Sequence, residues 1–195
     1  MLEDRFINIG DANIHYIEAG EGKPVLLFHG ARFNCRTFDE TGTIEAIASA
    51  NFHAISVDFP GFGKSSNMNI SLSEFINTFV DAMKLENTVI LAASMGGEAV
   101  VGFAVNHPEK VQALILTGAV GVSEYENKLS NIGDKPMLLM WGKNDLVSPV
   151  NNYQLLIKYN KNAEFYNVGR QHACYLDDNN SFNSHISDFL LKLGK

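Results

Sequence analysis

The chain carries a serine, an aspartate and a histidine in the order Ser94, Asp145, His172, each directly after an apolar, strand-like run. A serine hydroxyl is a weak nucleophile until a neighbouring imidazole accepts its proton and a carboxylate orients that imidazole. The carboxyl ends of parallel strands meet at one edge of a sheet, where ligands bind. The pattern therefore predicts a serine nucleophile, with a histidine as base and an aspartate as its partner.

Ser94 lies in the turn Ala-Ala-Ser-Met-Gly (92–96), a variant of the G-x-S-x-G turn that joins a strand to a helix. Such a turn needs small residues two positions before and two after the serine, and Ala92 and Gly96 meet this need. The N–H of Met95 then faces the site at a helix N-terminus, where a developing oxyanion is stabilised. The serine could instead only cap the helix, but the downstream acid and base favour catalysis.

The loop after the first central strand reads HGARF (29–33), and its Ala31 N–H is the candidate second oxyanion donor. His29 is expected to brace this loop. Arg32 could anchor a substrate carboxylate, or it could brace loop carbonyls or pair with an acid. Residues of this loop and of the loop carrying the base are expected at the pocket rim, namely Arg32, Phe33, Cys35, Arg170 and Cys174.

The acid and the base are chosen by their position in the chain. Among six histidines, His172 lies in a loop after the last predicted strand and C-terminal to the acid, as the order of catalytic groups requires. Asp145 could orient that imidazole or could cap the turn leading to Ser148 and Pro149. Asp58 and Ser65, in DFPGFGKS, are interpreted as structural.

Short apolar runs alternate with helical patterns, which predicts a doubly wound, mostly parallel α/β sheet. Runs such as VLLF and VILAA lack polar alternation, as strands buried on both faces do. An N-terminal antiparallel hairpin precedes them, and no linker interrupts residues 1–195, so a single domain is expected. The predicted strands are about 25–29, 53–58, 88–93, 112–117, 136–141 and 163–168, and the predicted helices lie near 41–50, 71–85, 95–106, 149–160 and 181–193. Ser71 with Glu74 fits a capping box that opens the second of these helices, and Ser148 fits an N-cap followed by Pro149 at the first helical position.

Composition excludes several functional classes. The net charge of −7 and the pI near 5.3 argue against nucleic-acid binding and against docking on anionic membranes. The N-terminus has no signal-like apolar segment and no run is long enough to span a membrane, so a cytoplasmic location is expected. Two cysteines match no disulfide framework or zinc spacing, and neither HExxH nor GxGxxG occurs at a suitable place. We therefore expect no metal and no cofactor.

The motifs HGARF, DFPGFGKS, AASMGG, WGKNDLVSP and QHACYLD resemble those of the α/β-hydrolase superfamily over essentially the whole chain. Among its members, the chain is most similar to the small lidless hydrolases called CIB-like. The resemblance implies an α/β-hydrolase fold without a cap domain, because only 18 residues separate LILT from PMLL. It also implies Ser94 as nucleophile, Asp145 as acid, His172 as base, and the Ala31 and Met95 N–H groups as oxyanion donors.

The expected function is therefore that of a serine hydrolase acting on small carboxylic esters or thioesters, with acylated amines, including protein lysines, as a further substrate class. The sequence departs from the family at Ala92 and in Gly169–Arg170–Gln171, although neither departure removes a catalytic group. The alternative is a non-catalytic binding or regulatory protein on a hydrolase scaffold. Animal members of the group are described as interacting with a general transcription factor, but no protein partner can be identified from these residues.

Overall fold

A computed structural model describes residues 2–194 and contains one eight-stranded sheet in the order β1-β2-β4-β3-β5-β6-β7-β8. The first two strands form an antiparallel hairpin, and β2 pairs antiparallel with β4, whereas all strands from β3 onward run parallel. This confirms the predicted mostly parallel sheet with an antiparallel N-terminal hairpin. The strands are β1 Arg5–Ile9, β2 Ala12–Ala19, β3 Lys23–Phe28, β4 Phe52–Val57, β5 Thr88–Ala93, β6 Val111–Thr117, β7 Met137–Trp141 and β8 Ala163–Asn167.

Helices cover both faces of the sheet and divide the core into two apolar layers. On one face α3, α4 and α5 pack over side chains such as Phe28 and Leu116. On the other face α1, α2, α6 and α7 pack over side chains such as Leu27 and Ile115. Every residue of β5 is buried, as expected of a central parallel strand covered on both sides. The helices are α1 Thr37–Glu40, α2 Thr43–Ser49, α3 Leu72–Ala82, α4 Met95–Asn106, α5 Val150–Tyr159, α6 Cys174–Asp177 and α7 Asn179–Leu193.

The predicted N-cap is observed at the start of α3 but not at the start of α5. The capping box of α3 forms as predicted, with the Glu74 N–H donating to the Ser71 hydroxyl at 3.2 Å and the Ser71 N–H donating to the Glu74 carboxylate at 3.1 Å. The N-cap of α5, in contrast, is Pro149 and not Ser148. The Ser148 oxygen instead accepts from the side-chain N–H groups of Trp141 at 3.2 Å and Asn152 at 3.0 Å, while its hydroxyl donates to the Ala119 carbonyl at 2.6 Å. These contacts occupy the oxygen that would have capped the helix.

The short connection between β6 and β7 leaves the carboxyl ends of the strands uncovered. Residues 118–135 contain a 3-10 helix, Val122–Ile132, that packs against α4 and α5, and no α-helix lies within this described segment. It therefore lies beside the sheet and does not fold over the carboxyl ends of the strands. Within residues 2–194, no helix is both long enough and apolar enough to cross a lipid bilayer.

Candidate active site

Ser94 occupies the sharp turn between β5 and α4 with φ 52° and ψ −115°. A positive φ is strained for a residue with a Cβ, so the surrounding structure must hold it in place. The Ser94 N–H donates to the Thr117 carbonyl at 2.9 Å, and its own carbonyl accepts from the N–H groups of Glu98 at 3.1 Å and Val120 at 3.3 Å. The turn is thus tied to β6 and to α4, and it places the serine hydroxyl at the sheet edge.

Gly96 and Ala92, the small residues two positions from the serine, meet different structural requirements. A Cβ at Gly96 would lie 2.7 Å from the His29 carbonyl oxygen and 2.8 Å from the Phe28 carbonyl oxygen, so only glycine lets α4 start this close to β3. Ala92 is fully buried within β5 and pairs in regular register with Phe28 and Leu116. Its methyl group is accommodated there, which explains why alanine can stand where the motif has its first glycine.

The three groups selected from the sequence form one continuous hydrogen-bonded line. His172 Nε2 lies 2.9 Å from Ser94 Oγ, and His172 Nδ1 lies 2.8 Å from Asp145 Oδ2. The Asp145 side chain is 3% exposed and the His172 side chain 22% exposed, so the carboxylate is shielded while the imidazole borders the cleft. This arrangement lets the imidazole accept the hydroxyl proton while the carboxylate holds its other nitrogen.

Asp145 makes the contacts of both alternatives, one to the turn that follows it and one to the imidazole. Its Oδ1 accepts from the N–H groups of Val147 at 2.8 Å and Ser148 at 2.9 Å, which closes the turn after β7. Its Oδ2 faces His172. Because the two backbone bonds fix the carboxylate plane, the oxygen that contacts the imidazole is already in position before any substrate binds.

In the loop after β3, a hydrogen bond from His29 fixes the orientation of the peptide that carries the Ala31 N–H. The N–H of Phe59 donates to His29 Nε2 at 3.2 Å, so Nδ1 carries the proton and donates to the Gly30 carbonyl at 2.8 Å. Burial lowers the pKa of His29, which favours this neutral form. Since the carbonyl and the N–H of a trans peptide point in opposite directions, fixing the Gly30 oxygen also fixes the Ala31 N–H.

Only the backbone of Met95 is available to the cleft at Ser94. It is the first residue of α4, where N–H groups have no partner within the helix. Its side chain lines a neighbouring cavity of about 190 Å³ and not the cleft at Ser94. The Met95 N–H is therefore the part available to an oxyanion, at the positive end of the helix dipole.

The cleft at Ser94 has a volume of about 440 Å³ and is open to solvent. Its wall is largely apolar, and the rings of Phe33 and Tyr175 meet edge to face at 6.0 Å between their centroids. Several wall residues were not predicted from the sequence. The motifs mark the candidate catalytic positions, but they do not indicate which neighbouring side chains face the cavity. The lining residues are Gly30, Ala31, Arg32, Phe33, Ser94, Thr117, Val147, Gln171, His172, Ala173 and Tyr175.

Two of the five predicted rim residues line the cleft, Arg32 and Phe33. The prediction was wrong for Cys174, which is fully buried with its Sγ 3.1 Å from the Thr117 hydroxyl and whose pKa burial raises to about 11. It was also wrong for Arg170, whose exposed side chain does not line the cleft and whose N–H donates to Asp177. The turn after β8 brings Gln171, His172, Ala173 and Tyr175 to the cleft, and Arg170 and Cys174 do not line it.

Cys35, the remaining predicted rim residue, is also buried, which corrects the prediction. It is 1% exposed, its N–H donates to Asp58 Oδ1 at 2.7 Å, and burial raises the pKa of its thiol. Asp58 also accepts from His15 Nδ1 at 2.7 Å and from the Lys64 N–H at 2.9 Å. Burial alone would raise the pKa of Asp58, but these hydrogen bonds lower it. The cluster ties the loop after β3 to β4, in agreement with a structural Asp58.

The imidazole of His15, the thiol of Cys35 and the carboxylate of Asp58 place three potential metal-ligand atoms within 4.8 Å of one another. All three side chains are buried. The imidazole and the carboxylate hydrogen-bond to each other, and the raised pKa of the thiol disfavours the thiolate that metals bind. The residues present therefore fit an internal hydrogen-bonded cluster better than a metal centre.

Comparison with known proteins gives relatives with hydrolase names. The chain is 33% identical over 125 residues to the 2-hydroxy-6-oxo-6-(2'-aminophenyl)hexa-2,4-dienoic acid hydrolase of Metapseudomonas resinovorans, covering 61% of this chain. It is 25% identical to ABHD14B of Rattus norvegicus, a proposed protein-lysine deacylase, covering 98% of this chain and 97% of the relative. The chain spans 64% of ABHD14A from Danio rerio and 43% of the Metapseudomonas hydrolase, which is less than two thirds of either relative's length.

The fold is shared with solved structures at lower sequence identity. A predicted CIB-like hydrolase from Thermoplasma acidophilum superposes with a TM-score of 0.91 at 23% identity, covering 98% of this chain and 99% of that one. The sequence model of the alpha/beta hydrolase fold matches residues 23–128, which is more than half of the chain. Because this match covers more than half of the chain, the chain belongs to the α/β-hydrolase family.

Proposed function

We propose that this protein is a serine hydrolase that cleaves small carboxylic esters or thioesters through an acyl-enzyme on Ser94. The observation that carries the proposal is the unbroken line from Ser94 Oγ through His172 to Asp145, with contacts of 2.9 and 2.8 Å. A binding scaffold would have no need of a strained serine, an imidazole and a shielded carboxylate in this register.

Acylation begins when Ser94 Oγ attacks the substrate carbonyl and His172 Nε2 takes the hydroxyl proton. The imidazolium that forms is stabilised by Asp145 Oδ2, which accepts from its Nδ1–H. Negative charge develops on the carbonyl oxygen, and the N–H groups of Ala31 and Met95 bind it. Collapse of the tetrahedral intermediate breaks the bond to the leaving group, which takes the proton from His172.

Deacylation repeats these steps with water as the nucleophile. His172 accepts a proton from water, the hydroxide attacks the acyl carbonyl, and the same two N–H groups bind the second oxyanion. The proton returns to Ser94 Oγ as the carboxylic acid leaves. The neutral Nδ1–H form of His29 supports both steps, because it holds the Gly30–Ala31 peptide in the donating orientation.

The shape of the cleft supports small substrates or acyl groups displayed on a larger molecule. Its volume is about 440 Å³, and no helical cap closes it within residues 118–135. A long free acyl chain would extend into solvent and gain little from burial, since apolar burial is what stabilises it. Turnover should therefore favour short acyl chains.

Deacylation of protein lysines is a second candidate function. It is supported by the similarity to ABHD14B, whose name proposes that activity and which this chain covers almost completely. An open cleft also suits an acyl group carried at the end of a lysine side chain. An acetyl-lysine peptide should then be hydrolysed with the same dependence on Ser94 as an ester.

The test is hydrolysis of p-nitrophenyl acetate, butyrate and octanoate by the wild type and by Ser94→Ala. Ser123→Ala is the matched control, because Ser123 is exposed and lies in the 3-10 helix away from the cleft. The proposal predicts turnover in the wild type and the control, none above background in Ser94→Ala, and rates that fall toward octanoate. Equal turnover by Ser94→Ala and the wild type would refute it, and no turnover by either would favour the non-catalytic alternative.

A further inference from the structure

Arg32 is an exposed cation in the wall of the cleft that holds Ser94. Among residues 2–194 its guanidinium forms no salt bridge and no side-chain hydrogen bond. Two other arginines are paired, Arg5 with Glu18 at 3.5 Å and Arg36 with both Asp4 and Asp39. The sequence left three roles open for Arg32, and its surroundings offer neither the acid nor the loop carbonyl that two of those roles require.

No carboxylate lines the cleft to neutralise this charge. The acid of the site, Asp145, is 3% exposed and uses both oxygens within the protein. The whole chain carries a net charge of −7, so a positive wall at this position runs against the general charge of the molecule. An anion entering the cleft would meet Arg32 without a competing internal partner.

The backbone places Arg32 next to the reacting atoms. It directly follows Ala31, the proposed oxyanion donor, in a turn closed by the Phe33 N–H donating to the Gly30 carbonyl at 3.1 Å. The remaining wall is largely apolar, with Phe33 and Tyr175 packed edge to face. The site therefore combines a reactive serine, an apolar wall and a single cation close by.

We propose that the substrates of this site carry a carboxylate, which Arg32 binds while the acyl carbonyl lies at Ser94. This inference rests on the proposed hydrolase function and names its substrate class. A guanidinium presents paired N–H donors that match the two oxygens of a carboxylate. Arg32 is then a specificity residue, and its contribution is made in binding, so it lowers KM and leaves the chemical step to the other groups.

The kinetic test compares 4-acetoxybenzoate with methyl 4-acetoxybenzoate, two esters that differ in one negative charge. The wild type is expected to prefer the anion by roughly fivefold to tenfold in kcat/KM, the range of a partly exposed, charge-assisted pair. In Arg32→Gln the ratio should fall to about one. Arg170→Gln is the matched control, because Arg170 is also exposed but does not line the cleft, and it should keep the wild-type ratio.

The position of the anion within the substrate is distinguished by a second pair, mono-p-nitrophenyl adipate and p-nitrophenyl hexanoate. A preference confined to the adipate places the carboxylate on the acyl side, and one confined to 4-acetoxybenzoate places it on the leaving group. Either result supports the proposal if it disappears in Arg32→Gln. A ratio of one in the wild type for both pairs, or an equal loss of the ratio in Arg170→Gln, overturns it.

A binding measurement keeps this inference separate from the hydrolase proposal. Ser94→Ala should bind 4-acetoxybenzoate more tightly than the methyl ester by the same fivefold to tenfold factor in calorimetry, and Ser94→Ala with Arg32→Gln should not. Tight binding without wild-type turnover would refute the hydrolase and leave the anion site standing. Turnover of neutral esters with equal binding of both compounds would refute the anion site alone.

Discussion

Gly118 immediately follows β6 and faces His172, the proposed base, so Gly118→Ala tests how closely the proposed triad must be held. A Cβ at this position would lie 2.9 Å from both Cε1 and Nδ1 of His172 and 3.3 Å from Asp145 Oδ2. Real Cβ atoms do not approach ring atoms this closely, so the imidazole must move. Because His172 is hydrogen-bonded on both sides, any shift lengthens the contact to Ser94 or the contact to Asp145.

The magnitude follows from two separate effects of the added methyl group. Gly118 has φ +52°, and alanine in that conformation costs roughly 1–2 kcal/mol of stability. For a chain of this length this corresponds to a fall in Tm of roughly 2–8 °C. A displacement of His172 by some tenths of an ångström, where about 1 Å can cost 10²-fold in rate, should lower kcat by roughly tenfold or more.

Gly133→Ala separates the two effects. Gly133 also has a positive φ, +68°, but a Cβ there would have nothing within 4 Å. Its ψ of −158° places it in a region almost confined to glycine, so it should lose at least as much stability. It should nevertheless keep wild-type kcat for p-nitrophenyl acetate, measured below the Tm of both variants. Wild-type kcat in Gly118→Ala, or an equal loss of kcat in Gly133→Ala, would show that contact with His172 does not limit the reaction.

Two further variants and two further sites give expected outcomes. Asp145→Asn keeps an oxygen for the two turn N–H groups but presents an amide to His172, so Tm should change little while kcat falls by roughly 10³–10⁴-fold, and a fall below tenfold would contradict this role. Gly96→Ala, with its methyl 2.7 Å from the His29 carbonyl, should lose roughly 1–3 kcal/mol of unfolding free energy together with most activity, as denaturant titration and turnover will show. Nitrogen NMR at pH 6.5 should find His29 neutral with the proton on Nδ1, since burial lowers its pKa, and a protonated ring at that pH would refute the assignment. Cys174, whose pKa is about 11, should resist iodoacetamide at pH 8 until the protein is unfolded, and rapid alkylation of the native protein would contradict its burial.

Much of the fold could be predicted because the apolar runs carry a clear signal. VILAA and ALILT are buried on both faces, and their lack of alternation is a property of central parallel strands. The short helices α1 and α6 were not predicted, since four residues are too few to show a helical period. The start of α5 differed because the Ser148 hydroxyl is bound by Trp141, Asn152 and Ala119, and such contacts depend on tertiary packing that no local pattern records.

The candidate site was predictable where a motif fixes the backbone. It was not predictable where the outcome depends on the direction in which a loop side chain points. The strand-to-helix turn dictates that Ser94 points outward, and the chain order selects Asp145 and His172. Cys35 and Cys174 lie beside these motifs in sequence, yet their side chains point into the core. The orientation of a loop side chain depends on tertiary packing, so the motifs predicted the neighbourhood of these two cysteines and not their burial.

The central claim, that Ser94 is the nucleophile, is tested most directly by mass spectrometry after labelling with a fluorophosphonate. The wild type and Ser123→Ala should each gain one adduct, located on the peptide that contains Ser94, and Ser94→Ala should gain none. Prior incubation with an excess of p-nitrophenyl acetate should slow labelling, because the acyl-enzyme occupies the same oxygen. An adduct on another residue, or a folded wild type that gains none, would contradict the account.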